Sequence, residues 1–184
     1  MAKSEAEVSA EFVALMSPYF RLYPEVVMMH PTKGRIRIDF VGQPTCGRWQ
    51  GNFGFELKHG AIGDGNFSKW SNALAQCIDY AQSRIISDKI GGEEWFGKTL
   101  KYVFIYPCTF KIWQHVQPDD DKQHQWARGQ VRLAGKFGVG AIEFDSGKND
   151  WVFTLGAEAA FWLKQGPTNL GLKHAVGERI GADR

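Results

Sequence analysis

Two carboxylates and a lysine, Asp39, Glu56 and Lys58, stand close enough in the chain to share one site. Phosphodiester hydrolysis needs such a set. A bound cation stabilises negative charge on phosphorus oxygens and lowers the pKa of its water. Hard cations such as Mg²⁺ prefer carboxylate and carbonyl oxygens. A lysine beside them can orient or deprotonate the attacking water, or stabilise charge at phosphorus. Asp39 and Glu56 are the candidate metal ligands, with the Leu57 carbonyl as a further oxygen, and Lys58 is the candidate water-activating group.

Those residues work together only if rigid elements hold them. Ile36-Arg37-Ile38-Asp39 lies near the end of one alternating segment, Arg35 to Val41, and Asn52 to His59 alternates again. Residues two apart on a strand share a face, so Glu56 and Lys58 project together while Phe53, Phe55 and Leu57 project the other way. Glu25 to His30 reads as the strand before the turn Pro31-Thr32-Lys33-Gly34. Residues 4 to 17 read as a helix with Ser4 and Glu7 as a capping box. Phe67 to Ile86 reads as a long helix whose apolar stripe holds Trp70, Leu74, Cys77, Ile78 and Ile85. Lys101 to Tyr106 is an apolar run of the kind buried on both sheet faces. A helix from about Asp119 to Phe137, strands at 139–144 and 151–155, and a last helix at 157–165 complete the reading. The expected fold class is α/β, a central mixed sheet flanked by helices in one domain over 1–184, with a core at about 5–144 and a strand and helix appended after 150.

Asp39, a loop, and then Glu56-Leu57-Lys58 resemble the PD-(D/E)XK nuclease superfamily. Gln76-Cys77-Ile78-Asp79-Tyr80 resembles the QxxxY motif of its RecB-like, exonuclease-like branch. Ile38 stands where the motif's proline would be. The resemblance implies a restriction-endonuclease-like core and a Mg²⁺- or Mn²⁺-dependent nuclease acting on DNA. It implies that Gln76 and Tyr80 orient the phosphate or brace the site. It also implies an extra metal-side acid from the first helix, for which Glu11 is the best-placed candidate and Glu7 the alternative. On a helical wheel Gln76 and Tyr80 fall off the apolar stripe, on a polar flank with Lys69 and Asn72.

Phosphate contacts position nucleic acid without reading sequence. Arg128, Arg132 and Lys136 recur every four residues and form one candidate stripe. Lys33, Arg35 and Arg37 form a second beside Asp39, Arg48 with Trp49 can grip a strand by charge and stacking, and Lys69 is a further candidate contact. The net charge of +2 says little alone, since an acidic centre subtracts from it. Three cysteines without paired spacing suggest reduced thiols rather than structural zinc. No apolar run long enough to span a membrane is present, and MAKSEAEVSAEF is not a signal peptide, so a cytoplasmic location is expected. No GxSxG, P-loop, HExxH or dinucleotide-binding glycine pattern occurs. A second copy would let a small nuclease cut both strands, so a homodimer fits. The alternative is a non-catalytic nucleic-acid-binding or protein-interaction module on the same fold, which the seven tryptophans would suit.

Overall fold

The Phe-x-Phe alternation at 53–57 marks a strand with one aromatic face, and the rest of the molecule is built around it. A computed structural model describes residues 4–45, 51–58, 67–87, 90, 95–107, 122–156, 158–164 and 166–167, with backbone only at 67–69, 122–128, 158–160 and 166–167. The elements are α1 (Glu5–Met16), β1 (Phe20–His30), β2 (Gly34–Pro44), β3 (Phe53–Leu57), α2 (Phe67–Gln82), β4 (Arg84–Ile85), β5 (Tyr102–Tyr106), α3 (Lys122–Gly135), β6 (Val139–Asp145), β7 (Asp150–Leu155), β8 (Glu158–Trp162) and β9 (Gly166–Pro167). They form one mixed sheet in the order β4-β1-β2-β3-β5-β6-β7-β8-β9. β3, β5 and β6 run parallel, and their neighbours pair antiparallel.

The parallel pairs require crossovers. Successive right-handed crossovers moving the same way along a sheet place their helices on the same face. α2 and α3 accordingly share one core, where Trp70, Leu74, Cys77 and Val131 pack on Ile38, Val103, Ile105 and Val139. The other face is an aromatic core beneath α1, with Phe12, Phe20, Phe40, Phe53, Phe55, Phe104, Phe153 and Phe161. Phe104 meets Phe153 edge-on at 5.0 Å. β5 is buried throughout, as expected of a strand covered on both faces. The capping box at Ser4 and Glu7 forms as read.

Several boundaries differ from the sequence reading. The first strand begins at Phe20 rather than Glu25 and carries Pro24 within it. Proline is tolerated there because the ladder is irregular at that level. The long helix stops at Gln82, and Ile85 is drawn instead into pairing with Met28, which buries it. The helix expected at 157–165 is a correction: Glu158–Trp162 is strand β8, antiparallel to β7. Gly156 turns the chain with φ 66°, and Phe161 stacks on Phe153 at 4.2 Å. That cross-strand aromatic pair outweighs the helix propensity of an alanine-rich segment.

One irregularity concerns the candidate site directly. The β1–β2 ladder pairs Pro24 with Phe40 and Val26 with Ile38, but not Glu25 with Asp39 between them. Glu25 has φ 54°, a left-handed conformation uncommon for a side-chain-bearing residue. On either side the faces exchange. Phe20, Leu22 and Phe40 belong to the α1 core, whereas Val26, Met28, Ile36 and Ile38 belong to the α2–α3 core. Both strands therefore reverse their faces at one level, and Asp39 lies in the reversal.

Candidate active site

β2 and β3 pair only through Phe40–Gly42 and Phe53–Phe55, and continuing that register by one step sets Asp39 opposite Glu56. Asp39 is thus at the mouth of a fork between the two strands. Its Oδ2 accepts the Leu57 N–H at 2.6 Å, across the fork. Lys58 lies one residue past the strand end, yet its N–H donates to the Tyr106 carbonyl at 2.8 Å, which keeps it aligned with β5.

From Glu56 a polar chain runs into α2. The Lys58 ammonium donates to Glu56 Oε1 and, at 3.0 Å, to Gln76 Oε1. Gln76 Nε2 donates to the Tyr80 hydroxyl at 2.7 Å, and that hydroxyl donates to the Arg37 carbonyl at 2.7 Å. An ammonium can only donate, so Gln76 turns its carbonyl oxygen to Lys58 and its NH₂ to Tyr80, which fixes which way the amide points. The four-residue spacing of Gln76 and Tyr80 aligns them on one helix face. Tyr80 is buried with the apolar core, and its ring packs there while its hydroxyl serves the site. The helical wheel placed it on a polar flank, and its two-sided character explains the difference.

Burial dominates the electrostatics. Desolvation raises the Glu56 pKa, the Asp39 charge adds to it, and Lys58 and the Tyr80 hydroxyl oppose it. Desolvation also raises Asp39, with Glu25 and Glu5 adding to the rise and the Leu57 N–H and Lys58 opposing it. Tyr80 is pushed up first by burial and then by the charge of Glu56. Glu56 Oε2 is buried without a hydrogen-bond partner. An orphaned carboxylate oxygen beside a second carboxylate is a strained arrangement that a hard cation relieves. The donor set fits such an ion: Asp39 and Glu56 would hold it, with the Leu57 carbonyl between them in sequence. Among the described residues no group of three His, Cys, Asp or Glu side chains converges at metal-binding distance, so carbonyl and water oxygens would complete the shell.

The remaining candidates separate. Glu11 acts on Tyr106, whose pKa burial, and then Glu11, raise to about 12. The α1 acid whose charge acts on Asp39 is Glu5. Glu7 is engaged in the cap. Arg35 and Arg37 are exposed on β2, and Arg37 pairs with Glu25 at 2.7 Å. Lys33 is exposed and pairs with Asp79. Arg132 and Lys136 are exposed on and just after α3, on the α2 side of the sheet, while Val131 and Ala134 are buried beneath them. Arg48, Trp49, His59, Cys46 and Cys108, and the side chains of Lys69 and Arg128, lie outside the described residues. Cys77 is a buried free thiol, as expected. His30 is buried and caps the hairpin turn, with Nδ1 accepting from the Thr32 and Lys33 N–H groups.

Glu25 enters the sequence reading only as the start of a strand, not as a site residue. No local motif marks it; only the register with Asp39 does. Among the described residues no helix is long and apolar enough to cross a membrane. Comparison of the chain with protein-family models, with curated proteins and with solved structures finds no match.

Proposed function

We propose that the protein is a metal-dependent nuclease of the PD-(D/E)XK type that hydrolyses phosphodiester bonds in DNA. The observation that carries this reading is the convergence of Asp39, Glu56, Lys58, Gln76 and Tyr80, five residues from three elements, in one connected polar centre. The same convergence supports a restriction-endonuclease-like core, together with the order of α1, β1–β3, α2, β5, α3 and β6.

When bound, Mg²⁺ or Mn²⁺ would supply Lewis acidity toward the phosphate and a water of lowered pKa. Asp39 and Glu56 bring the negative charge that selects such an ion, and the Leu57 N–H holds Asp39 in place. Lys58 is anchored by Gln76, so its ammonium has a fixed direction for orienting the nucleophile or meeting charge at phosphorus. Tyr80 ties that anchor to the backbone of β2. Arg35 and Arg37 stand nearby for phosphate contact.

The test is cleavage of linear and circular DNA, single- and double-stranded, with Mg²⁺ or Mn²⁺. Wild-type protein is run beside Lys58→Ala and Asp39→Asn. Metal-dependent cutting lost in both variants is expected; circular substrates show whether free ends are needed. Cutting that persists in both variants would refute the assignment. A second reading, a non-catalytic binding module, draws on the Lys58–Glu56 ion pair, which already neutralises one oxygen of the glutamate without a cation. Divalent-ion binding that vanishes in Glu56→Gln separates the two.

A further inference from the structure

Beyond Glu25 and Asp39 the hairpin of β1 and β2 turns a second face outward. Cross-strand partners share a face. Met29 pairs with Arg35 on β2 and with Arg84 on β4, and Arg84 is bridged to Thr99. The row alongside, Ile85, Met28 and Ile36, packs into the α2–α3 core, so alternation sends Arg84, Met29 and Arg35 to the opposite side. There they are exposed, Met29 at 40%. Arg37 follows on the same face, opposite Val27. α1 packs with residues on the other side of the reversal, Phe20, Phe40, Phe53 and Phe55, so among the described residues no helix covers this end.

We propose that this β4–β1–β2 face is a binding track for a single strand of nucleic acid, with phosphates on Arg84 and Arg35 and a base laid over Met29. Among the described residues of this face the charge is one-sided: Arg84, Arg35 and Arg37 stand with one acid, Glu25, which Arg37 pairs. A polyanion is the complementary partner. The face spans two strand spacings, about 10 Å, which suits one phosphodiester strand better than a duplex. An exposed apolar side chain between two guanidinium groups offers a base a surface to stack on while its backbone is held. The track lies across the sheet from the α2 residues of the candidate centre and is tied to that centre through Arg37. The Arg37 carbonyl receives the Tyr80 hydroxyl, and the Glu25 paired to Arg37 acts electrostatically on Asp39. The inference deepens the nuclease reading and rests on it for what the track serves. It adds Arg84 and Met29, which carry no sequence motif and meet only through the sheet register.

The experiment measures fluorescence anisotropy of labelled oligo-dT, oligo-rU and a blunt DNA duplex, with EDTA present so that nothing is cut. Wild-type protein should bind a single strand more tightly than the duplex, and the dT and rU arms show which sugar is preferred. Arg35→Ala/Arg84→Ala should weaken single-strand binding at least about tenfold and reduce the slope of log K against log salt by about 1.4, two lost phosphate contacts on a single strand. Met29→Ser, at an exposed position, should weaken it by a smaller factor at unchanged salt slope. Arg84→Glu alone provides the reading if the double variant does not fold. Unchanged affinity in the folded arginine variants, or a duplex bound as tightly as the single strand, overturns the inference. Metal-dependent cleavage with no arginine effect on binding would remove this inference and leave the nuclease reading. Arginine-dependent binding with no cleavage under any metal would do the reverse.

Discussion

Tyr80 has two jobs, and they are separable. Its ring fills the α2–α3 core, while its hydroxyl accepts from Gln76 and donates to the Arg37 carbonyl. Tyr80→Phe keeps the packing and leaves both partners short of a hydrogen bond. It should cost about 1–3 kcal/mol of stability in urea denaturation, and it should lower kcat more than it raises KM, because Lys58 loses its brace. Wild-type kcat in a folded Tyr80→Phe protein would remove the bracing role. The two carboxylates make a second prediction. Burial raises the pKa of both Glu56 and Asp39 in the folded chain above their ordinary values. The folded state then favours the protonated acids. Their contribution is fully present below the ordinary carboxylate range and is lost as pH climbs through the raised values. Metal-free protein in EDTA should therefore melt at lower temperature as pH rises through the upper carboxylate range. Glu56→Gln, which is neutral at every pH, should flatten that dependence and raise the melting temperature at neutral pH. A steeper dependence in the variant would contradict the assigned cause.

At the scale of elements, the reversal of β1 and β2 is the feature that makes the centre. Glu25 holds φ 54° against its preference, and its carboxylate pairs with Arg37 where both are substantially exposed, so the pair contributes little. Glu25→Gly relieves the backbone and should stabilise the protein by about 1 kcal/mol, whereas Glu25→Val, β-branched, should destabilise it by a similar amount or more. Chemical denaturation of the two variants checks the sign, and a Val variant as stable as wild type would show that the backbone there is unstrained. Much of the local structure is legible in the sequence. The capping box, the alternation at 53–57 and the apolar run at 102–106 each mark an element, because each depends on a short-range pattern. The acid–acid–lysine set and the Gln-Tyr pair are legible for the same reason. The reversal is not, since it exists only where two strands meet and nothing in either segment announces it. Glu25 near Asp39, and Arg84 beside Met29 and Arg35, are invisible for that cause. The strand at 158–162 is a related case: its neighbours decide it, through Phe161 on Phe153, against its own helical composition.

For the whole molecule, one sheet separates two cores, and the candidate centre occupies the fork where β2 and β3 part. A cation there would contact residues from both strands and, through Lys58 and Gln76, bear on α2. In the unfolded chain Asp39 and Glu56 are held together by nothing, so such an ion binds the folded state alone. Linkage then requires that it stabilise the fold by about 2.7 kcal/mol at one hundred times its dissociation constant. For a chain of 184 residues that corresponds to a melting shift of roughly 5–10 °C. Ca²⁺ is the useful ion, because the family resemblance implies that it binds the same carboxylates and supports little cleavage. Thermal unfolding with saturating Ca²⁺ should show the shift in wild-type protein and lose it in Asp39→Asn and Glu56→Gln. The two variants should behave alike, since removing either acid leaves one charge on a site that needs two. A shift that survives in both would place the ion elsewhere on the surface, and no shift in wild type would leave Glu56 Oε2 to be explained without a cation.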